Sequence, residues 1–150
     1  MERVQPKVTT QTLLLELDRF DAAFDQLFVA QLSVIGPNAL WLAVGAAAQQ
    51  PFSLMADTAV AMPRPGNTVP PAATSLSTST SASLALAARL SKRYASQVFL
   101  SLDLSSLADA GGGPASSDRA MLPLEKALIA QLDQVLERPT RRTTAPPASS

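Results

Sequence analysis

Between Thr74 and Leu104 the hydrophobic period switches from helical to extended within a few residues. The stretch reads TSLSTSTSASLALAARLSKRYASQVFLSLDL. Leu86, Leu90 and Tyr94 recur at i, i+4 and i+8, with Leu84 and Ala87 beside them. That is the stripe of a helix with one buried face. Thr80 or Ser81 can cap its start with a hydroxyl. Arg89, Lys92 and Arg93 fall toward its end, where cations complement the helix dipole. From Gln97 to Leu104 the pattern becomes period two, with Val98, Leu100, Leu102 and Leu104 on one side. Phe99 adds an apolar patch to the other. The segment is strongly patterned and carries no catalytic chemistry, so it points to a small scaffold that binds a partner.

The remaining chain supplies more strands. Val8 to Leu17 is β-branched at first and Leu-rich later, and reads as a first strand. Phe20, Phe24 and Leu27 have helical spacing among Asp18, Asp21 and Asp25, and suggest a helical turn. Leu27 to Ile35 and Ala39 to Ala46 are apolar runs of strand length, and Gly36-Pro37-Asn38 between them predicts a hairpin. Phe52 to Met62 would extend this into an antiparallel meander. Four prolines and Gly66-Asn67 make 63–71 an exposed loop, from which Ala72 to Ser77 leads out extended. The GGGPASSD run makes 105–120 a second flexible loop. Pro123 suits the first turn of a second helix, striped by Leu124, Leu128, Leu132 and Val135 or Leu136. The expected fold is α+β: an antiparallel β-sheet or sandwich of about six strands with two main helices packed on it. One domain is expected over 8–137, with a flexible N-terminus at 1–7 and a disordered Pro- and Arg-rich tail at 138–150.

Composition excludes much chemistry. The chain has no histidine and no cysteine, which removes Ser-His-Asp and Cys-His catalysis, disulfides and zinc sites built on those ligands. Its twelve basic and twelve acidic residues cancel, whereas a nucleic-acid binder shows a basic excess. The longest apolar run, Ala39 to Ala48, is ten residues, against the roughly 20 that span a bilayer as a helix. MERVQPKVTT has no apolar signal core. Neither nucleic acid nor membrane is an expected partner. The lack of cysteine is compatible with a reducing cytoplasm or nucleus, and a cytoplasmic location, with the nucleus second, is the expectation.

Three stretches carry a resemblance to a known family. They are LWLAVGA, Leu40 to Ala46; the strand Leu54 to Met62, ending AVAM; and Thr74 to Leu76 with Leu86 to Leu104. In the last, Leu86, Ala87, Arg89, Leu90, Lys92, Arg93, Gln97, Val98 and Phe99 follow the family's order without a gap. Over about Leu27 to Leu104 the chain resembles the fourth proteasome assembly chaperone, in a divergent version. The Pro-rich 63–71 loop, the GGGP insertion and the tail depart from the pattern. The resemblance implies a heterodimer with a subunit like the third assembly chaperone, their sheets combined into one β-sandwich. It implies binding of an α-type proteasome subunit, the fifth, during assembly of the core-particle α-ring. It also implies no catalysis and no cofactor.

Five residues are candidates for partner binding: Trp41, Phe99, Arg89, Lys92 and Arg93. Trp41 lies in a run apolar on both faces, which suits either a central core strand or a dimer seam. Arg89, Lys92 and Arg93 suit either a solvated helix end or a dock for an acidic α-subunit surface. Glu16, Asp18, Asp21 and Asp25 lack the glycine and terminal glutamate of an EF-hand and read as a solvated face. The Ser/Thr run at 74–81 has no base to activate it. Gly111 to Gly113 lacks the ending of a phosphate-binding loop and reads as a linker. Another small α+β adaptor of a multiprotein complex is the alternative reading. A carboxylate-dependent hydrolase would need a buried pair of acids, which these solvated acids do not offer.

Overall fold

The computed structural model of the chain describes residues 7–17, 27–49, 56–66, 69–77, 82–107 and 113–136. In chain order the elements are β1 (Val8–Leu15), β2 (Phe28–Ile35), β3 (Ala39–Ala46), β4 (Asp57–Met62), β5 (Ala72–Ser75), α1 (Ala82–Tyr94), β6 (Gln97–Asp103), α2 (Ser105–Leu107) and α3 (Gly113–Val135). The strands form one open six-stranded sheet in the order β1-β2-β3-β6-β4-β5. The α+β class holds, as a single sheet rather than a sandwich. The helical turn expected around Phe20 and Phe24 and the tail lie outside the described residues.

The β2–β3 hairpin forms as its turn signal requires. Ile35 pairs with Ala39 across Gly36-Pro37-Asn38. Gly36 sits at φ 60, where a side chain would be strained even though a Cβ there would meet nothing within 4 Å. The expected meander does not form, because β4 does not pair with β3. Instead β6 lies between them, parallel to β3 and antiparallel to β4. A parallel pair needs a crossover, and here β4, β5 and α1 make it. The ranking of strands by apolar content explains the insertion. β6 places Val98, Leu100 and Leu102 at 0–1% exposure, which suits a central strand. The four-residue β5, AATS, is mostly exposed and suits only an edge.

One face of the sheet carries the core. Leu13 and Leu15, Phe28 and Leu32, Leu40, Leu42 and Val44, Ala59 and Ala61, and the aliphatics of β6 pack there against Leu86, Leu90, Leu124, Leu128 and Leu132. Each fully buried leucine contributes roughly 1.5–3 kcal/mol of transfer free energy. The second helix begins at Gly113, ten residues before the start that Pro123 suggested, so much of the loop expected at 105–120 is helical. Ala120, 1% exposed, extends the Leu124, Leu128, Leu132 stripe one turn earlier. The continued apolar face outweighs the donor that Pro123 removes inside the helix.

Two contacts fix the ends of α1. At its start the Asp57 carboxylate on β4 accepts the Ser83 amide at 3.1 Å and the Ser83 hydroxyl at 2.5 Å. This is a cap supplied from another element, since the first amides of a helix lack partners within it. At its end Ala95 adopts φ 48, and the Ser96 amide reaches back to the Ser91 carbonyl at 3.3 Å. That is the 6→1 bond of a Schellman motif, a place where glycine is the usual residue. Ala95→Gly is therefore expected to stabilise the domain by about 0.5–1 kcal/mol. Chemical denaturation would measure it.

Candidate interaction face

The face of the sheet opposite the helices is built by the other half of each strand's alternation. Its central row crosses all six strands in register: Thr10, Ser33, Trp41, Phe99, Val60 and Thr74. Trp41 and Phe99 stack at 5.3 Å between ring centroids and 17° between planes. Thr10 and Ser33 share a hydroxyl hydrogen bond of 3.0 Å. On one side of the row, Val8, Ile35 and Ala39 pair across β1, β2 and β3. On the other come Thr12, Gln31, Ala43, Ser101 and Thr58, then Leu14, Val29, Gly45 and Asp103.

Two properties distinguish this face. The first is exposed apolar area: Trp41 at 42%, Leu14 at 48%, Val8 at 56% and Met62 at 53%. The second is the near absence of charge. Asp103 is the sole charged residue among the described strand positions on this face, and it is buried at one end. There it accepts the Ser105 hydroxyl at 2.6 Å and the Ser105 amide at 3.3 Å. An antiparallel sheet with one face in water normally alternates polar residues outward. Apolar side chains with charge depleted are the composition of the core of a protein interface.

Trp41 and Phe99 are thus brought together. The three basic candidates lie elsewhere, on α1. Arg89 forks the Glu125 carboxylate at 2.7 and 2.8 Å. Arg93 reaches Asp133 at 2.7 Å, and the Tyr94 hydroxyl donates to the same carboxylate at 2.7 Å. These contacts fasten α1 to α3, each exposed pair being worth roughly 0–1 kcal/mol. Lys92 is exposed on the same helix, near the β4–β5 connection. Of the acidic candidates, Glu16 is exposed and Asp18, Asp21 and Asp25 lie outside the described residues. The rest of the row escaped sequence reasoning, although the uncharged alternate positions of β1, β2 and β4 were its signal.

Tyr94 is the one tyrosine of the chain. Burial, and then the hydrogen bond to Asp133, push its phenol up from 10.0 to about 12. With the folded value above the unfolded one, this contribution to stability is whole below pH 10.0 and is lost as pH rises through about 12. Tyrosinate absorbance is expected to rise near pH 12 in the folded chain and near 10 in denaturant. Asp133→Ala should bring the folded midpoint down, since it removes the bond that raises it.

Among the described residues no helix is long and apolar enough to cross a membrane. Nor does any group of acidic residues there have metal-holding geometry. The fold leaves this face of the sheet open, with Trp41 and Leu14 exposed on it. Comparison with known proteins bears on which proteins share it. No curated protein matches the chain. A solved structure described as the crystal structure of a novel chaperone complex for yeast 20S proteasome assembly is similar, with TM-score 0.54 and 13% identity over 83% of this chain and 98% of that one. At that identity the likeness is one of fold. The family model of proteasome assembly chaperone 4 matches residues 28–104. That segment runs from the first residue of β2 to the residue after β6, just over half of the chain, and takes in α1 and every strand but β1, so the chain belongs to the proteasome assembly chaperone 4 family.

Proposed function

We propose that the chain is a non-enzymatic chaperone of proteasome assembly that pairs, through its open sheet face, with a related subunit like the third assembly chaperone. The pair would bind an α-type subunit, the fifth, while the core-particle α-ring forms, and would act in the cytoplasm or nucleus. One observation carries the reading. A family member presents a six-stranded sheet whose face opposite the helices exposes large apolar residues, carries almost no charge and centres on stacked Trp41 and Phe99. Such a face is satisfied by a second sheet laid on it, because sheets stack about 10 Å apart with interdigitating side chains. The client contact is expected to be smaller and more polar, since an assembly factor must be displaced.

Affinity capture of the tagged chain from lysate of its source, followed by mass spectrometry, tests this. One small sheet protein and α-type proteasome subunits should co-purify, with few mature β-type subunits. A homodimer that recovers no proteasome subunit would instead favour an adaptor of another complex.

A further inference from the structure

The cations of α1 are not alike. Arg89 and Arg93 are held by carboxylates of α3. Lys92, between them in sequence, has no carboxylate partner among the described residues, and neither does Arg64 in the β4–β5 connection. The two come together all the same. Arg64 and Lys92 line a single notch with Pro63, Val69, Pro71 and Ala95.

Local chemistry shapes this notch. Gly66 takes φ 87, a left-handed value that glycine adopts without strain. Each proline of the connection fixes its own φ. Across the notch, the left-handed Ala95 ends α1 one turn after Lys92. Val69, 41% exposed, supplies an apolar wall beside the two charges. The α1 C-terminus contributes roughly half a negative charge, against two whole positive ones. Arginine and lysine lining one small concavity suit a carboxylate. A nucleic-acid track would need a longer basic stripe, and the chain has no net charge to supply one.

We propose that this notch binds an acidic segment of a protein partner, taking one glutamate or aspartate side chain between Arg64 and Lys92 and a neighbouring apolar side chain against Val69 and Pro71. It shares no residue with the Trp41 row, so it stands whether or not that row pairs with a second sheet.

The test is a backbone-amide NMR titration of the full chain with a capped peptide alternating leucine and glutamate, and with its glutamine counterpart. Shifts should concentrate at Arg64, Val69, Lys92 and Ala95, with the glutamine peptide binding at least about tenfold more weakly. Binding should weaken as salt rises. The double variant Arg64→Glu, Lys92→Glu should lose the glutamate peptide and bind a leucine–lysine peptide instead, which also shows that it remains folded. Equal shifts with the glutamine peptide, shifts centred elsewhere, no binding, or unchanged binding by the double variant would each overturn the proposal. So would displacement of the peptide by a lower concentration of inorganic phosphate, which would make the notch a phosphate site.

Discussion

Trp41→Lys is expected to abolish recovery of the paired subunit while leaving the chain folded. Trp41 is 42% exposed and stacks on Phe99, so the free chain loses one aromatic contact, worth about 0.5–1.5 kcal/mol. In the paired state the same position lies mid-row at the centre of the face. There the substitution removes an aromatic anchor and leaves a cation with no counter-charge, as the described positions of the face carry none but buried Asp103. Loss of a central anchor typically costs 2 kcal/mol or more, and the unpaired charge adds to it, so pairing should weaken by roughly 100-fold or more. Sedimentation of the mixed subunits and circular dichroism of the variant alone separate the two effects. A variant that still pairs with unchanged affinity would move the seam off this face.

The second large effect is expected at Asp57→Ala. Asp57 accepts two hydrogen bonds from Ser83, a residue with 0% exposure at the start of α1. It also lies within 3.5 Å of the Ser77 hydroxyl. Alanine would leave the buried amide and hydroxyl of Ser83 without an acceptor. Unmade hydrogen bonds of this kind, with a charged partner, cost about 2–3 kcal/mol. Asp57→Asn keeps one acceptor and should cost roughly half as much. α1 lies over β4, β5 and β6, so the loosened cap should raise hydrogen exchange in α1 first. Denaturant midpoints of the three proteins measure the ranking. Equal stability of all three would show that Ser83 finds another acceptor.

Much of this architecture was legible because its signals are local. Gly36-Pro37-Asn38 specified the β2–β3 turn, and the switch of period near Tyr94 separated α1 from β6. Trp41 stands out because its run is apolar on both faces, and Phe99 because it breaks its strand's alternation. The place of β6 was not legible from that alternation, because a strand's neighbours depend on how the whole crossover packs. Period two predicted one buried face for β6, whereas Ser101 and Asp103 on its other face are buried too. The fastening of α1 was equally hidden. Its partners Asp57, Glu125 and Asp133 lie 26 to 40 residues away, and no spacing rule links them. Arginines that looked free at a helix end were thereby committed to α3. Ala120, in line with Leu124, Leu128 and Leu132, marks a start for α3 ahead of Pro123, though not as early as Gly113.

The central claim is that the open face is covered when the chain pairs with its partner. Trp41, the only tryptophan of the chain, gives a direct readout when this subunit alone carries fluorinated tryptophan. On titration with the co-purified partner, the fluorine resonance should shift, and its response to a soluble paramagnetic quencher should fall to that of a buried ring. A resonance that stays quencher-accessible in the fully formed complex would contradict the account.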